Sequence, residues 1–187
     1  MCKLIYKMKS LKYMCLIVLT VTIITSANAD DNLPKGIMKL KGQDAHPLSL
    51  ENLDGEKWDI NQTRGHWVFL HFWASWCGPC REEMPTIQAI VKEFDNSSLE
   101  IVLVNTAETE DTVFEFIGAV APDLNSLVDA DGQATERWQP RGLPATFFVD
   151  PNGKLQYLAL GGRAWHEPAY LNFLRNLSAK NNHSRNP

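Results

Sequence analysis

Apolar residues gather along this chain in short bursts that alternate between two periods. Trp67-Val68-Phe69-Leu70-His71-Phe72-Trp73 is a nearly unbroken apolar run, as expected of a strand buried on both faces. The spacing then predicts a helix over Pro79–Phe94, a strand over Glu100–Asn105 and an amphipathic helix over Glu110–Val120, with Val113, Phe116, Ile117 and Val120 on one face. A short strand near Ser126–Val128 and a helix at Gln133–Trp138 follow. Ala145–Val149 and Leu155–Leu160 flank Asp150-Pro151-Asn152-Gly153, whose Pro and Gly suit a hairpin turn. A last helix is expected from about Glu167 to Leu177, with Pro168 in its first turn and Tyr170, Leu171, Leu174 and Leu177 facing inward. Upstream, Leu48–Leu53 and Lys57–Ile60 are split by Asp54-Gly55 and fit a small hairpin, while residues 30–47 read as an extended arm. The polar stretch 178–187 reads as a disordered tail. A βαβ half, a hairpin and a closing helix make an α/β chain: one mixed sheet with helices on both faces.

The start of the chain changes the picture. Residues 1–29 have the three parts of a secretory signal: Lys3, Lys7, Lys9 and Lys12, then apolar Met14–Ile24, then Ala27-Asn28-Ala29 as a cleavage pattern. The alternative is an uncleaved inner-membrane anchor, for which the run between Lys12 and Asn28 is short against the roughly 20 apolar residues a span needs. Cys15 lacks the preceding small residues of a lipoprotein signal. Cleavage leaves 158 residues, enough for one domain, and takes four lysines and no acids away, so the net charge falls from −4 to −8. An acidic surface argues against nucleic acid and anionic membranes as partners. Cys2 and Cys15 leave with the leader, and Cys77 and Cys80 remain as the single pair. An exported protein usually spends extra cysteines on structural bridges, so a lone pair reads as a working pair.

That pair lies at the junction of the apolar strand and the next helix, in Trp76-Cys77-Gly78-Pro79-Cys80. Two cysteines three apart at such a turn can close into a reactive disulfide. The first meets the positive end of the helix dipole, which stabilises its thiolate. Cys77 is expected at the helix start, exposed, as the attacking thiolate; Cys80, a turn further in, resolves the mixed disulfide. Pro79 suits the first turn, Gly78 lets a partner's backbone approach, and Pro85 inside the helix should kink it. A zinc site would need a second ligand pair, and His46, His66, His71, His166 and His183 are scattered, so no metal and no cofactor are expected. Pro144 in Gly142-Leu143-Pro144-Ala145-Thr146 opens a strand, an unusual place for proline. It is either an ordinary trans loop proline or a cis residue that sets the Leu143 backbone beside the dithiol to pair with a substrate peptide.

Phe72-Trp73-Ala74-Ser75-Trp76-Cys77-Gly78-Pro79-Cys80 and Arg141-Gly142-Leu143-Pro144 resemble the two signature stretches of thioredoxin. The arm, the export signal and Cys80-Arg81-Glu82-Glu83-Met84-Pro85 are closer to the periplasmic TlpA/ResA-like branch of that family. The resemblance covers about Leu48 to Leu177. It implies the thioredoxin fold with an N-terminal β-hairpin extension, a cis bond before Pro144, and thiol-disulfide exchange with protein substrates. It also implies an acid at Glu83 that assists proton transfer at the dithiol. The chain departs from thioredoxin at two places: His71 stands where thioredoxin carries a buried Asp, and Leu103 where it carries the partner Lys. The thioredoxin proton relay therefore does not transfer. Glu83, three residues after Cys80, falls on the same helix side and is the candidate acid-base group, against the plainer reading of a solvated glutamate like Glu82. His71 reads either as a hydrogen-bonded core residue or as a titrating catalyst. Trp76 reads as a shield over the dithiol or as a core tryptophan.

Four functions compete. The first is an exported dithiol reductase of periplasmic protein disulfides, apocytochromes c included, fed by a transmembrane thiol carrier and working as a monomer. The Gly-Pro dipeptide resembles that of thioredoxin, whose potential is about −270 mV. An oxidase or isomerase usually carries another dipeptide and a helical insertion. A binding module with a vestigial motif fits poorly with an intact dithiol and the Pro144 loop. A peroxidase would need a Thr-x-x-Cys arrangement, and Thr63 and Thr86 are in the wrong places. Reduction is the favoured reading.

Overall fold

The computed structural model describes residues 33–183 except Asn96, with side chains described to Ala179. The leader expected over residues 1–29 lies outside them. Among the described residues eight strands form, β1 Ile37–Lys39, β2 Ser49–Glu51, β3 Lys57–Asp59, β4 Trp67–Trp73, β5 Leu99–Thr106, β6 Leu127–Asp129, β7 Ala145–Val149 and β8 Leu155–Leu160. The helices are α1 Gly78–Phe94, α2 Glu110–Val120, α3 Gln133–Trp138 and α4 Pro168–His183. Six strands make one mixed sheet in the order β1-β8-β7-β4-β5-β6, and β2 and β3 make the separate hairpin. β4 pairs parallel with β5 and antiparallel with β7, so it occupies the middle of the sheet.

All seven residues of β4 are buried, and its two faces feed two cores. Trp67, Phe69 and Trp73 pack with residues of α1, α2 and α4, whereas Val68, Leu70 and Phe72 pack with Ala134 and Trp138 of α3 and with Leu48 and Ile60 beside the hairpin. His71, at the odd period, therefore projects to the α1 side. This is a thioredoxin-like α/β fold, as expected, and the element boundaries differ from the sequence reading by a residue or two over most of the chain.

Two segments differ more. The arm is tied into the sheet: β1 pairs antiparallel with β8, and Leu40, Gly42 and Ala45 donate to the Gln156, Leu155 and Gly153 carbonyls. A three-residue edge strand is too short for alternation to reveal it. At the other end, α4 continues past Leu177 to His183, so part of the stretch assigned to a disordered tail is helical. No proline or glycine interrupts Ser178–His183, and the Ser98 hydroxyl donates to the Ser178 carbonyl. Pro85 sits within one continuous α1.

Candidate active site

The chain leaves β4 through Ala74-Ser75-Trp76 and enters α1 at Cys77, which caps it with extended backbone at φ −82°, ψ 107°. The Cys77 Sγ accepts from the Cys80 N–H at 3.3 Å, and the two cysteines form a disulfide with their Cα atoms 5.2 Å apart. Pro79 lies in the first turn, where its missing N–H costs no helical bond. No acidic residue occupies that turn to offset the positive end of the dipole. Cys80 is fully buried and Cys77 is 6% exposed. The order of exposure is as expected, but Cys77 is far less open than a helix start suggests. In the disulfide its sulfur is bonded to that of Cys80, and little of the residue faces outward.

The loop before Cys77 is held by Glu108, which sequence reasoning missed. Its carboxylate accepts from the Ser75 N–H at 2.7 Å, from the Ser75 hydroxyl and from the Asn105 amide at 2.7 Å. Glu108 follows Ala107, a non-glycine residue at φ 56°, just beyond the carboxyl end of β5. Polar residues past the carboxyl end of a strand neighbouring the active one were the available signal. Arg81 donates to the Ser75 carbonyl at 3.3 Å and lies over the Phe116 ring. Trp76, between these anchors, is 69% exposed. It is not a core tryptophan, but a flat apolar surface beside the dithiol.

Glu83 is 2% exposed, unlike its exposed neighbour Glu82, which rules out the solvated reading. Its Oε2 accepts from the Arg163 backbone N–H at 2.9 Å, and its Oε1 lies 3.0 Å from His71 Nε2. Those two atoms are within ion-pair distance but outside hydrogen-bond alignment. His71 Nδ1 lies 2.9 Å from Thr146 Oγ1, because the register sets Thr146 directly opposite His71. The loop between β8 and α4 closes over this group: Gly162 packs on Pro79, and the Trp165 N–H donates to Thr86 Oγ1. A pocket of about 270 Å³ lined by Pro79, Glu82, Glu83, Thr86, Gly162 and Arg163 opens beside Glu83. Burial lowers the Arg163 pKa below its ordinary value, opposed by the charges of Tyr170 and Glu83.

The Leu143–Pro144 bond is cis. Ala145 pairs with Phe72, so Pro144 stands at the end of the sheet where β4 runs toward Cys77. Pro144 is buried and its carbonyl accepts from Gly161, while Leu143 is half-buried and its backbone makes no hydrogen bond among the described residues. The structure thus gathers Cys77, Cys80, Glu83 and His71 around the first turns of α1, with Pro144 at the same end of the sheet. Among the described residues no group of three or more His, Cys, Asp or Glu is placed to hold a metal ion, and no helix is long and apolar enough to cross a membrane.

Comparison with known proteins gives the same outline. The profile of the AhpC/TSA family matches residues 41–158. The thiol-disulfide oxidoreductase ResA of Bacillus subtilis (strain 168) is 32% identical over 121 residues, which are 65% of this chain and 68% of that protein. The thioredoxin-like protein YneN of the same strain is 33% identical over 124 residues, 65% and 72% of the two chains. A crystal structure from Chlorobium tepidum assigned as thiol:disulfide interchange protein DsbE superposes with a TM-score of 0.64 at 29% identity, covering 77% of this chain and 99% of its own.

Proposed function

Since the chain belongs to the AhpC/TSA family and carries its only disulfide among the described residues at the start of α1, we propose that it is an exported thiol-disulfide oxidoreductase that reduces disulfides in client proteins. The Cys77–Cys80 pair at a helix N-terminus, with Cys77 at 6% exposure and Cys80 fully buried, carries this reading. In the reduced protein the Cys77 thiolate attacks one sulfur of the client disulfide and releases the first client thiolate. The Cys80 thiol gives its proton to the Glu83 carboxylate, one turn away, and its sulfur attacks Cys77. The bond to the client breaks, the second client thiolate leaves and is protonated, and two electrons have passed from the dithiol to the client. Leu143, whose backbone groups are unpaired, receives the client strand, and the Trp76 face packs against it.

The three-part leader supports export, with a transmembrane thiol carrier resupplying electrons to a monomer and apocytochromes c among the clients. The direction of exchange is read by equilibrating the dithiol in thiol–disulfide buffers of known potential. A midpoint near about −270 mV supports reduction, and one more oxidising than about −180 mV assigns the protein to disulfide formation instead. The redox state of Cys77 and Cys80 in intact cells gives the second reading: a reductase is held mostly as the dithiol.

A further inference from the structure

His71 takes no part in the exchange as written, yet it is the polar side chain at the middle of β4 and is fully buried. Its ring lies stacked on Phe69, opposite apolar Leu103 on β5 and Thr146 on β7. Of the two Glu83 oxygens, Oε2 is satisfied by Arg163. Oε1 and His71 Nε2 have no hydrogen bond, although they face each other at 3.0 Å. A buried donor and a buried acceptor left unmade are both unfavourable, and a small ring rotation would let each satisfy the other.

We propose that His71 is a positioning residue for Glu83, and that their contact closes when Glu83 is ionised and opens when it carries the proton taken from Cys80. The inference rests on Glu83 as the base of the exchange. With the Thr146 hydroxyl as donor to Nδ1, 2.9 Å away, the ring N–H lies on Nε2. That N–H donates to a carboxylate oxygen and turns it toward one geometry. Against a protonated Oε1 it would stand donor to donor, so the contact releases. The ring thus favours the carboxylate before transfer and stops holding it afterwards, which lets the proton leave to the departing client thiolate or through the pocket beside Glu83. Around the pair, α1 contributes Glu83, β7 the Thr146 hydroxyl, β5 only apolar Leu103, and the loop before α4 the Arg163 N–H together with its half-buried guanidinium.

Single-turnover oxidation of the reduced protein by dithiobis-nitrobenzoate separates the two steps. Attack by Cys77 releases one thionitrobenzoate, and attack by Cys80 on the mixed disulfide releases the second. His71→Leu is expected to slow the second release about tenfold relative to the first and to displace its rate–pH profile, with partial rescue in His71→Gln, whose amide still donates. On a Glu83→Gln background, His71→Leu should add nothing. Thr146→Val, close in shape, should repeat the effect of His71→Leu and serves as the test if that variant does not fold. A second release unchanged in both His71→Leu and Thr146→Val overturns the proposal, as does equal slowing of it by His71→Leu with or without Glu83. If Glu83→Gln itself leaves the second release at the native rate, the reading of Glu83 as base fails and the proposal falls with it.

Discussion

Cys77 and Cys80 differ by three positions and by a small residual exposure that only Cys77 keeps. Cys80→Ser should leave the accessible thiol able to attack and unable to be resolved, so mixed disulfides with clients accumulate and are recovered by mass spectrometry. Cys77→Ser should trap none, and faster alkylation of Cys80 than of Cys77 in the reduced protein would reverse the two roles. Glu108 belongs to the same scale. Its carboxylate holds both the Ser75 N–H and hydroxyl, so Glu108→Ala should lower stability by about 2 kcal/mol in denaturant titration and alter the alkylation rate of Cys77. The Cys77–Cys80 disulfide, the place of Glu83 one turn on and the cis bond before Pro144 were legible from motif spacing together with the family resemblance. Glu108 and the His71–Glu83 contact were not, because they join residues that only the sheet register and the docking of α1 bring together.

Among the elements, β4 and α1 declare themselves: an apolar run of strand length followed by a capped helix with proline in its first turn. β1 and the end of α4 do not, since an edge strand of three residues has no period and a polar helical turn resembles a tail. The loop from β8 to α4 is equally silent in sequence, yet it seats the site. A Cβ on Gly162 would stand 3.0 Å from the Pro79 carbonyl oxygen, whereas one on Gly78 would meet nothing within 4 Å. Gly162→Ala should therefore push this loop off α1, draw the Arg163 N–H from Glu83 and cost about 1–3 kcal/mol in thermal or chemical unfolding. Gly78→Ala should change stability by less than about 1 kcal/mol. Equal stability of the two variants would mean that the loop yields without cost.

Across the domain, Arg163 links what the chain order separates. Its guanidinium donates to the Lys35, Leu160 and Gly161 carbonyls and lies over Trp165 and Tyr170, while its backbone N–H serves Glu83. The Tyr170 hydroxyl donates to the same Lys35 carbonyl. The start of the arm is thus fastened to the loop that covers the site. Arg163→Ala should destabilise the protein by about 2 kcal/mol and raise amide exchange at Ile37 and Leu40 before the rest of the sheet. Arg163→Lys should recover little of this, because an ammonium cannot reach three carbonyls in a planar fork. Exchange at those two amides no faster than in the native protein would show that β1 holds without the fastening.

The narrow window through which Cys77 meets solvent has a kinetic meaning. An attacking thiolate must arrive in line with the disulfide, and a Cys77 that is only 6% exposed admits few trajectories. Small thiols in the surroundings meet this barrier at every collision, whereas a protein donor docked on the exposed Trp76 face would deliver its sulfur already aimed. The protein is thereby insulated from the ambient thiol pool by access instead of by potential. Its disulfide can stay out of equilibrium with its surroundings until a donor of the right shape supplies the electrons.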